Sequence, residues 1–168
     1  ITLGVKVNYV GALKKFACAQ ATGDIILEVD HDDLLMPGAI SEVQQAFADP
    51  AVGFVYSDCA CFQNDFENVP RYDAIYGWQY EEIDYHGHKL DCHKSFEPTP
   101  AAVSRIWYAP NHLRAWRRMT YELAGGHSED MRVLDDQDLM ARLYQITQFH
   151  HIEKCLYLYR VTGENTWL

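Results

Sequence analysis

Short apolar runs alternate along the first part of the chain with a segment of helical periodicity. Residues 1–7 alternate loosely between apolar and polar and end at Asn8, a pattern typical of a strand that enters a turn. Apolar positions then recur at helical spacing over residues 13–21, and Gly23 stands where a helix C-terminus favours a left-handed residue. A mainly apolar run follows at residues 25–29. The order strand, helix, strand is typical of a parallel crossover and predicts an α/β fold with a mostly parallel central sheet flanked by helices.

The middle of the chain begins in the same way and then loses its pattern. Residues 37–48 carry a helical apolar stripe, and residues 52–56 form a further strand that we expect to end at Ser57 and Asp58. Between residues 59 and 100 the pattern gives way to scattered aromatic and polar residues. We interpret this stretch as an irregular insertion, which is either a substrate loop or an antiparallel ribbon that turns at residues 86–88.

The last third of the chain returns to short elements. Residues 106–109 are predicted to form a strand, and residues 111–118 carry three arginines. We interpret these arginines as a solvated helix face, with a site for an anionic group as the alternative. A short helix then ends at Gly125-Gly126, a longer helix begins near residue 135, and an aromatic strand covers residues 155–161 before a turn at residues 162–165.

Carboxylates follow the apolar run at residues 25–29. Asp30 and Asp32 are two residues apart, so in extended backbone both side chains point to one side. Oxygen ligands at the carboxyl end of a strand suit Mg²⁺ or Mn²⁺, particularly when phosphate oxygens complete the shell. The alternative is that these acids only cap the helix that starts near Pro37. Because the strand before them and the helix after them stand where a ligand site needs them, we favour the metal site.

A second group of acids lies at the predicted start of the later helix. Asp135, Asp136 and Asp138 precede a helical stripe that contains Leu139 and Leu143. An acid at this place caps the helix and interacts favourably with its dipole. Capping explains one of these residues but not three, so the group is a candidate for a general base.

Composition and charge restrict the partners. The chain has 168 residues and a net charge of −10, which argues against a nucleic-acid or anionic membrane surface. No apolar run approaches the roughly 18 residues of a membrane span. We therefore expect one domain over residues 1–168, without a membrane span and located in the cytoplasm.

The cysteines also favour the cytoplasm. They are odd in number and lack framework spacing, which predicts reduced thiols: Cys18, Cys59, Cys61, Cys92 and Cys155. The pairs Cys59-x-Cys61 and Cys92-His93 suggest a zinc site, but neither has the usual spacing of two to four residues between cysteines. Zinc is therefore not the favoured interpretation.

Three motifs in this order resemble the inverting family 2 glycosyltransferases, which have the GT-A fold. The segments at residues 23–26, 29–33 and 37–40 are similar to the Asp-x-Asp region of that family. Residues 125–129, 135–139 and 142–143 resemble its Gly-Gly acceptor loop and its acidic pair with trailing Arg-Leu, and residues 159–160 and 163–166 resemble the segment after its last strand. The resemblance implies a GT-A-like, Rossmann-like fold and transfer of a sugar, with inversion, from a nucleotide-diphosphate sugar to an acceptor hydroxyl.

The resemblance also implies which residues bind the donor. Asp30 and Asp32 would hold Mn²⁺ or Mg²⁺ against the diphosphate, with Asp30 also near the ribose. Asp33 and Lys14 would join Asp30 in binding the nucleotide sugar.

On the acceptor side, the resemblance makes Asp136 the catalytic base that takes the proton of the attacking hydroxyl. Gly125, Gly126 and Asp135 would form the acceptor site. The acceptor would be a carbohydrate or a lipid-linked molecule.

The chain departs from the family pattern in three places: before Ile1, at Lys14-Lys15, where the family more often has Arg-Asn, and at Thr162. Members usually carry further strands before the position of Ile1, so we expect a GT-A domain truncated at its N-terminus, with a sheet edge that invites homo-oligomers. Thr162 stands where many members have a histidine. A late histidine ligand would therefore have to be His150 or His151, for which a structural role is the favoured interpretation.

Two other classes of function remain open. The chain could be a non-catalytic remnant that binds a sugar or a protein. A phosphohydrolase of the haloacid dehalogenase type also places Asp-x-Asp after a buried strand, but its motif usually continues with a small pair rather than with Asp33-Leu34.

Overall fold

The computed structural model describes residues 9–162. The strand predicted at residues 1–7 and the family segment at residues 163–166 lie outside the described residues, as does all but the first residue of the predicted turn at 162–165. The helices, in chain order, are α1 (Val10–Gln20), α2 (Ala39–Ala46), α3 (Pro100–Val103), α4 (Arg118–Leu123) and α5 (Asp135–Tyr144), and a 3-10 turn covers Ala74–Tyr76. The strands are β1 (Ile25–Glu28), β2 (Leu34–Leu35), β3 (Val52–Gln63), β4 (Glu67–Asn68), β5 (Tyr80–Tyr85), β6 (His88–His93), β7 (Arg114–Arg117) and β8 (Gln148–Arg160).

The strands of the described residues form one sheet around β3. Strand β8 runs along one edge of β3, while β7 pairs with the first half of the other edge and β6 with the second half. The pairing of β3 with β8 is parallel, and every other strand pairing within residues 9–162 is antiparallel. The prediction of a mostly parallel sheet is therefore wrong. It rested on a crossover into β1, but the described partner of β1 is β7, which runs antiparallel to it.

Strand β3 is longer than the sequence pattern indicates. It continues past Ser57 and Asp58, where we expected it to end. Both polar residues are buried and hydrogen-bonded: the Ser57 hydroxyl accepts the backbone N–H of Leu113, and Asp58 Oδ1 accepts the backbone N–H of Ser95 at 2.8 Å. Because their hydrogen bonds are made inside the protein, these residues do not need solvent and do not end the strand.

Two further element predictions are wrong and one is confirmed. The strand expected at residues 106–109 is a turn, and the helix face expected at residues 111–118 contains β7 instead. This segment is a strand because residues 113–116 are buried without interruption, as in the centre of a sheet covered on both faces. The antiparallel ribbon in the aromatic insertion is confirmed as the β5–β6 hairpin, in which Tyr85 pairs with His88 across the predicted turn.

The helices cover the sheet through two apolar clusters. Residues of α1, α4 and α5 pack against Phe54, Tyr56 and Trp116, whereas Val43 and Phe47 pack against Val55 and its neighbours. This packing places the end of β1, the start of β7 and the start of α5 around one opening. No helix in residues 9–162 is long and apolar enough to cross a membrane.

Candidate active site

A cavity of about 1380 Å³, which we call the central cleft, opens beside the end of β1. Its charged lining includes Lys14, Glu28, Asp30, Asp32, Arg114, Asp135 and Asp136. Its aromatic lining includes Tyr72, Trp78, Tyr80, Trp107 and Tyr159. The structure therefore brings the Asp-x-Asp turn and the acidic start of α5 together, although they are far apart in sequence.

The end of β8 holds the turn that carries Asp30 and Asp32. The Tyr157 hydroxyl accepts the backbone N–H of Asp30 at 3.1 Å, and Arg160 Nε donates to the backbone oxygen of Asp32 at 2.9 Å. The pairing of β2 with Tyr157 and Leu158 fixes the exit of the turn. These contacts fix the backbone of the turn from behind, while both aspartate side chains line the central cleft.

Asp33 also helps to hold the turn that carries Asp30 and Asp32. Its Oδ2 accepts the Tyr157 hydroxyl at 2.7 Å and its Oδ1 accepts the backbone N–H of Arg160 at 2.7 Å. Burial raises the pKa of its carboxyl to about 6. The lining of the central cleft does not include Asp33 within the described part of the chain. Its contacts are those of a residue that fixes the turn, and its predicted role in nucleotide-sugar binding stays a prediction.

The donor set of the Asp-x-Asp turn fits a hard divalent cation. Burial raises the pKa of Asp30, Lys14 opposes this shift and Glu28 adds to it, and a cation bound beside the carboxylate would favour its charged form. Asp32 adds a second carboxylate that is about one-third exposed and open to the cleft. Mg²⁺ and Mn²⁺ commonly take one or two protein carboxylates and complete their shells with phosphate oxygens and water. The two residues therefore fit the metal that the sequence predicts.

A buried ionic network joins the two acidic centres. Arg114, at the start of β7, pairs in register with Glu28 at the end of β1, and its Nη2 lies 3.2 Å from Glu28 Oε1. Arg114 Nη1 donates to Asp136 Oδ2 at 2.6 Å, and Lys14 Nζ donates to Glu28 Oε1 at 2.5 Å. The Arg114 side chain is almost fully buried, with 4% of its surface exposed. One guanidinium therefore links the strand that leads to the Asp-x-Asp turn with the first turn of α5.

Asp136 combines a fixed orientation with access to the cleft. Its Oδ1 accepts the backbone N–H of Gln137 at 2.7 Å, while its Oδ2 accepts Arg114. Although burial opposes ionisation, Arg114 lowers the pKa of this carboxyl to about 2, so it is ionised at neutral pH. About a third of the side chain (36%) remains exposed, and a carboxylate has lone pairs beyond the two in use. Asp136 can therefore accept a further hydrogen bond from a donor in the cleft.

Asp135 lies deeper. It is 3% exposed, burial raises its pKa, and its Oδ2 is 3.8 Å from Nε2 of the buried His127. Burial also lowers the pKa of His127 to about 4, so the two groups do not form a strong ion pair at neutral pH. This arrangement offers an acceptor less access to Asp135 than to Asp136.

The Gly125-Gly126 turn positions His127 rather than lining the cleft. Both glycines have positive φ, 84° and 66°. The backbone N–H of His127 donates to the hydroxyl of Tyr121, and a Cβ on Gly126 would meet the Tyr121 ring at 2.8 Å. Neither glycine is in the cleft lining of the described residues, and their predicted acceptor role stays a prediction.

We expect Gly126→Ala to destabilise the protein more than Gly125→Ala does. Both substitutions carry the cost of a left-handed backbone, about 1–2 kcal/mol. Of the two, only Gly126 also faces a buried ring, which adds about 1–3 kcal/mol of overpacking, whereas among the described residues a Cβ on Gly125 would meet only Arg142 Nη1, at 3.7 Å. Urea unfolding of the two variants measures the difference, and equal stabilities would contradict the close approach to Tyr121.

The two late histidines lie away from the central cleft. His151 stacks on Tyr56 with ring centroids 4.7 Å apart, and its Nε2 is 2.7 Å from Asp58 Oδ1. His150 lines a separate cavity of about 340 Å³ beside α2. Thr162, which stands where many family members have a histidine, does line the central cleft, whereas neither His150 nor His151 does so in the described chain. These positions do not bring either histidine to the Asp-x-Asp turn.

Sequence reasoning missed Glu28 and Arg114. Glu28 was visible as a charged residue within an apolar strand, and a charge in such a place needs a partner. Its distance of two residues from Asp30 also puts both side chains on one side of the strand. Arg114 gave no such signal, because its partner is set by the pairing of β1 with β7.

Comparisons with known proteins agree with this architecture. The crystal structure of S. aureus TarS residues 1–349 in complex with UDP-GlcNAc has a TM-score of 0.65 and 12% sequence identity, over 98% of this chain and 42% of that chain. The same TarS fragment in complex with UDP gives a TM-score of 0.62 and 16% identity, over 96% and 43%. This chain therefore spans less than half the length of these structures. At such identities the similarity shows the fold, which is GT-A-like.

Comparison with curated protein sequences gives no significant match, whereas comparison with models of protein families gives one. The family model described as glycosyl transferase family 2 matches residues 3–124, which include the Asp-x-Asp turn, Arg114 and α4. With most of its length covered by that family model, this chain belongs to glycosyl transferase family 2.

Proposed function

We propose that this chain is the catalytic portion of an inverting glycosyltransferase that uses a nucleotide-diphosphate sugar and a divalent cation. One observation carries the proposal: the Asp-x-Asp turn and Asp136 line a single cleft and are connected through Arg114. A pair of carboxylates for a metal diphosphate and a separate, ionised carboxylate for a proton are the two requirements of this reaction.

The size and charge of the central cleft fit a nucleotide sugar together with an acceptor. Its volume of about 1380 Å³ exceeds the roughly 300–1,000 Å³ of a pocket for one drug-sized ligand. Lys14 lines it as well, and an ammonium group there can approach phosphate oxygens while it remains paired with Glu28. The structures with similar folds were solved with UDP and UDP-GlcNAc, which makes a uridine nucleotide sugar the first donor to test.

Part of the lining of the central cleft is aromatic. The rings of Tyr72 and Trp78 lie 5.1 Å apart, Trp107 stands edge-on to Tyr72 at 6.1 Å, and Trp107 is 61% exposed. Exposed aromatic faces with polar edges suit the C–H faces of sugar rings. We therefore propose a carbohydrate acceptor, free or carried on a lipid.

The reaction would be a single displacement. The acceptor oxygen attacks the anomeric carbon of the donor, the bond from that carbon to the diphosphate oxygen breaks, and the acceptor proton passes to Asp136 Oδ2 or Oδ1. A cation at Asp30 and Asp32 would neutralise charge on the leaving diphosphate. Arg114 keeps Asp136 ionised and oriented before the acceptor arrives, so the base needs no reorganisation at the moment of attack.

We expect Asp32→Ala to abolish the metal dependence of nucleotide binding. Calorimetric titration of UDP, and then GDP, into the purified chain with and without Mn²⁺ should show binding that Mn²⁺ strengthens by tenfold or more. In Asp32→Ala, binding with Mn²⁺ should fall to the level without it, because one of the two carboxylates that hold the cation is lost.

Asp24→Ala is the matched control. Asp24 is an exposed aspartate at the other end of β1 and does not line the central cleft. The Asp24→Ala variant should bind the nucleotides as the wild type does, with the same dependence on Mn²⁺. Folded protein that binds neither nucleotide would instead favour a non-catalytic remnant, and metal-dependent hydrolysis of a simple phosphate ester would favour the phosphohydrolase.

A further inference from the structure

Strands β3 and β6 bring two thiols and an imidazole together at the wall of the central cleft. Cys59 and His93 are directly opposed in the β3–β6 ladder, and Cys61 is two residues along β3, on the same side of the strand as Cys59. One ligand atom from each of the three residues lies within 4.8 Å of the other two. Cys59 and His93 are buried, while Cys61 is partly exposed, and Cys61 and His93 line the cleft.

The chemistry of this group differs from that of the Asp-x-Asp turn. Two sulfurs and one nitrogen are soft and borderline donors, which suit Zn²⁺ rather than Mg²⁺ or Mn²⁺. In a tetrahedral zinc site with bonds of about 2.0–2.3 Å, ligand atoms lie about 3.5–3.8 Å apart. The present separations of up to 4.8 Å therefore need side-chain movements of only about 1 Å to close on a metal.

A disulfide is a poorer use of the same thiols. Two residues apart in extended backbone, Cα atoms are separated by about 6.6–6.8 Å, at the far end of the roughly 4.4–6.8 Å found across disulfides. A metal ion fits the observed positions without distorting the strand.

We propose that Cys59, Cys61 and His93 form a Zn²⁺ site with its fourth coordination position open to the central cleft. The ion would join β3 to the end of β6 and so fix the base of the β5–β6 hairpin, which brings Tyr80 to the cleft wall. This site is separate from the proposed transferase chemistry and does not depend on it.

The sequence pointed to Cys92 as a further ligand, and the structure excludes it from the group. Cys92 precedes His93 on β6, so its side chain faces the opposite side of the sheet and packs in the apolar cluster with Leu90, Cys155 and Leu158. Cys92 thus provides a matched control, a buried cysteine one residue from a proposed ligand.

The test is a titration of the reduced, chelator-treated chain with Co²⁺, followed by Zn²⁺. We expect one equivalent of Co²⁺ to produce a thiolate-to-cobalt charge-transfer band with the strong visible absorption of tetrahedral cobalt, and one equivalent of Zn²⁺ to remove both. Cys61→Ser and His93→Gln should weaken binding by tenfold or more, whereas Cys92→Ser and Asp32→Ala should leave it unchanged. Zn²⁺ should raise Tm in the wild type and in Cys92→Ser but not in Cys61→Ser.

Circular dichroism checks that each variant is folded, and the His93 and Cys61 variants serve as independent tests if one of them fails to fold. No charge-transfer band in the folded wild type would overturn the proposal. An unchanged band in Cys61→Ser would overturn it as well, as would loss of the band in Asp32→Ala, because a site formed by Cys59, Cys61 and His93 does not need that aspartate.

Discussion

Replacing Asp136 by asparagine is expected to lower the rate of sugar transfer by about 10²–10⁴-fold, which corresponds to about 3–5 kcal/mol in the activation barrier. The amide has nearly the same shape as the carboxylate but cannot take the proton of the acceptor hydroxyl. Donor binding should change little, because the metal and diphosphate are assigned to Asp30 and Asp32 and not to Asp136. Steady-state transfer from a UDP sugar to a carbohydrate acceptor, together with UDP titration, measures both effects.

Asp138→Asn is a close control for this substitution. Asp138 lies in the same first turn of α5, has nearly the same side-chain exposure (37% against 36%), and also pairs with an arginine, Arg142. It does not line the central cleft. Both variants lose a charge near the helix N-terminus and one ion pair, so a drop in kcat that is confined to Asp136→Asn isolates the proton transfer.

The pH dependence adds a second readout. Arg114 lowers the pKa of Asp136 to about 2, whereas burial raises that of Asp135. With Asp136 as the base, kcat should not fall in the range from pH 6 to pH 5 through protonation of the base. A normal rate in Asp136→Asn with a large loss in Asp135→Asn would contradict our assignment and make Asp135 the base.

The acidic centres were accessible to sequence reasoning because each carries a local signal. Asp30 and Asp32 follow a short apolar run that predicts a strand, and Asp135 and Asp136 precede a helical stripe. Both elements formed as predicted, within a residue or two at their ends. That these two centres share one cleft was implied only by the family resemblance.

The arrangement of the sheet could not be predicted in the same way. Strand direction depends on which strands pair, and the pairing of β1 with β7 joins residues that are far apart in sequence. Local pattern also misled us at Ser57 and Asp58, where buried hydrogen bonds from Leu113 and Ser95 let polar residues continue a strand. Local pattern also could not place His93 beside Cys59 and Cys61, because only the register between β3 and β6 brings these residues together.

Arg114 was interpreted from sequence as part of a solvated face, and it is one of the most buried charges of the described residues. We expect Arg114→Met to destabilise the protein by about 3–5 kcal/mol. Methionine fills much of the volume, but Glu28 is then left as a buried carboxylate with Lys14 as its remaining ion-pair partner. Urea unfolding followed by circular dichroism measures the loss.

Two further variants test whether Arg114→Met loses stability because it leaves a charge buried or because it loses an ordinary hydrogen bond. Arg118→Met removes an exposed guanidinium that donates to the backbone oxygen of Gly23, and it should cost about 1 kcal/mol or less. The double variant Glu28→Gln with Arg114→Met should be more stable than Arg114→Met alone, because it removes the buried carboxylate that has lost its arginine partner. A double variant that is less stable than Arg114→Met would contradict this explanation.

The loss of stability in Arg114→Met should also depend on pH. Arg114 lowers the pKa of Asp136 to about 2 and, together with Lys14, holds that of Glu28 well below its usual value. Below about pH 4.5, the unfolded chain therefore binds more protons at these carboxyls than the folded protein does, and their contribution to stability is lost as the pH falls. The difference in unfolding free energy between the wild type and Arg114→Met should thus be largest above about pH 5 and shrink towards pH 3. A difference that stays constant across this range would show that Arg114 stabilises the fold by packing and not by holding these two carboxylates in their charged form.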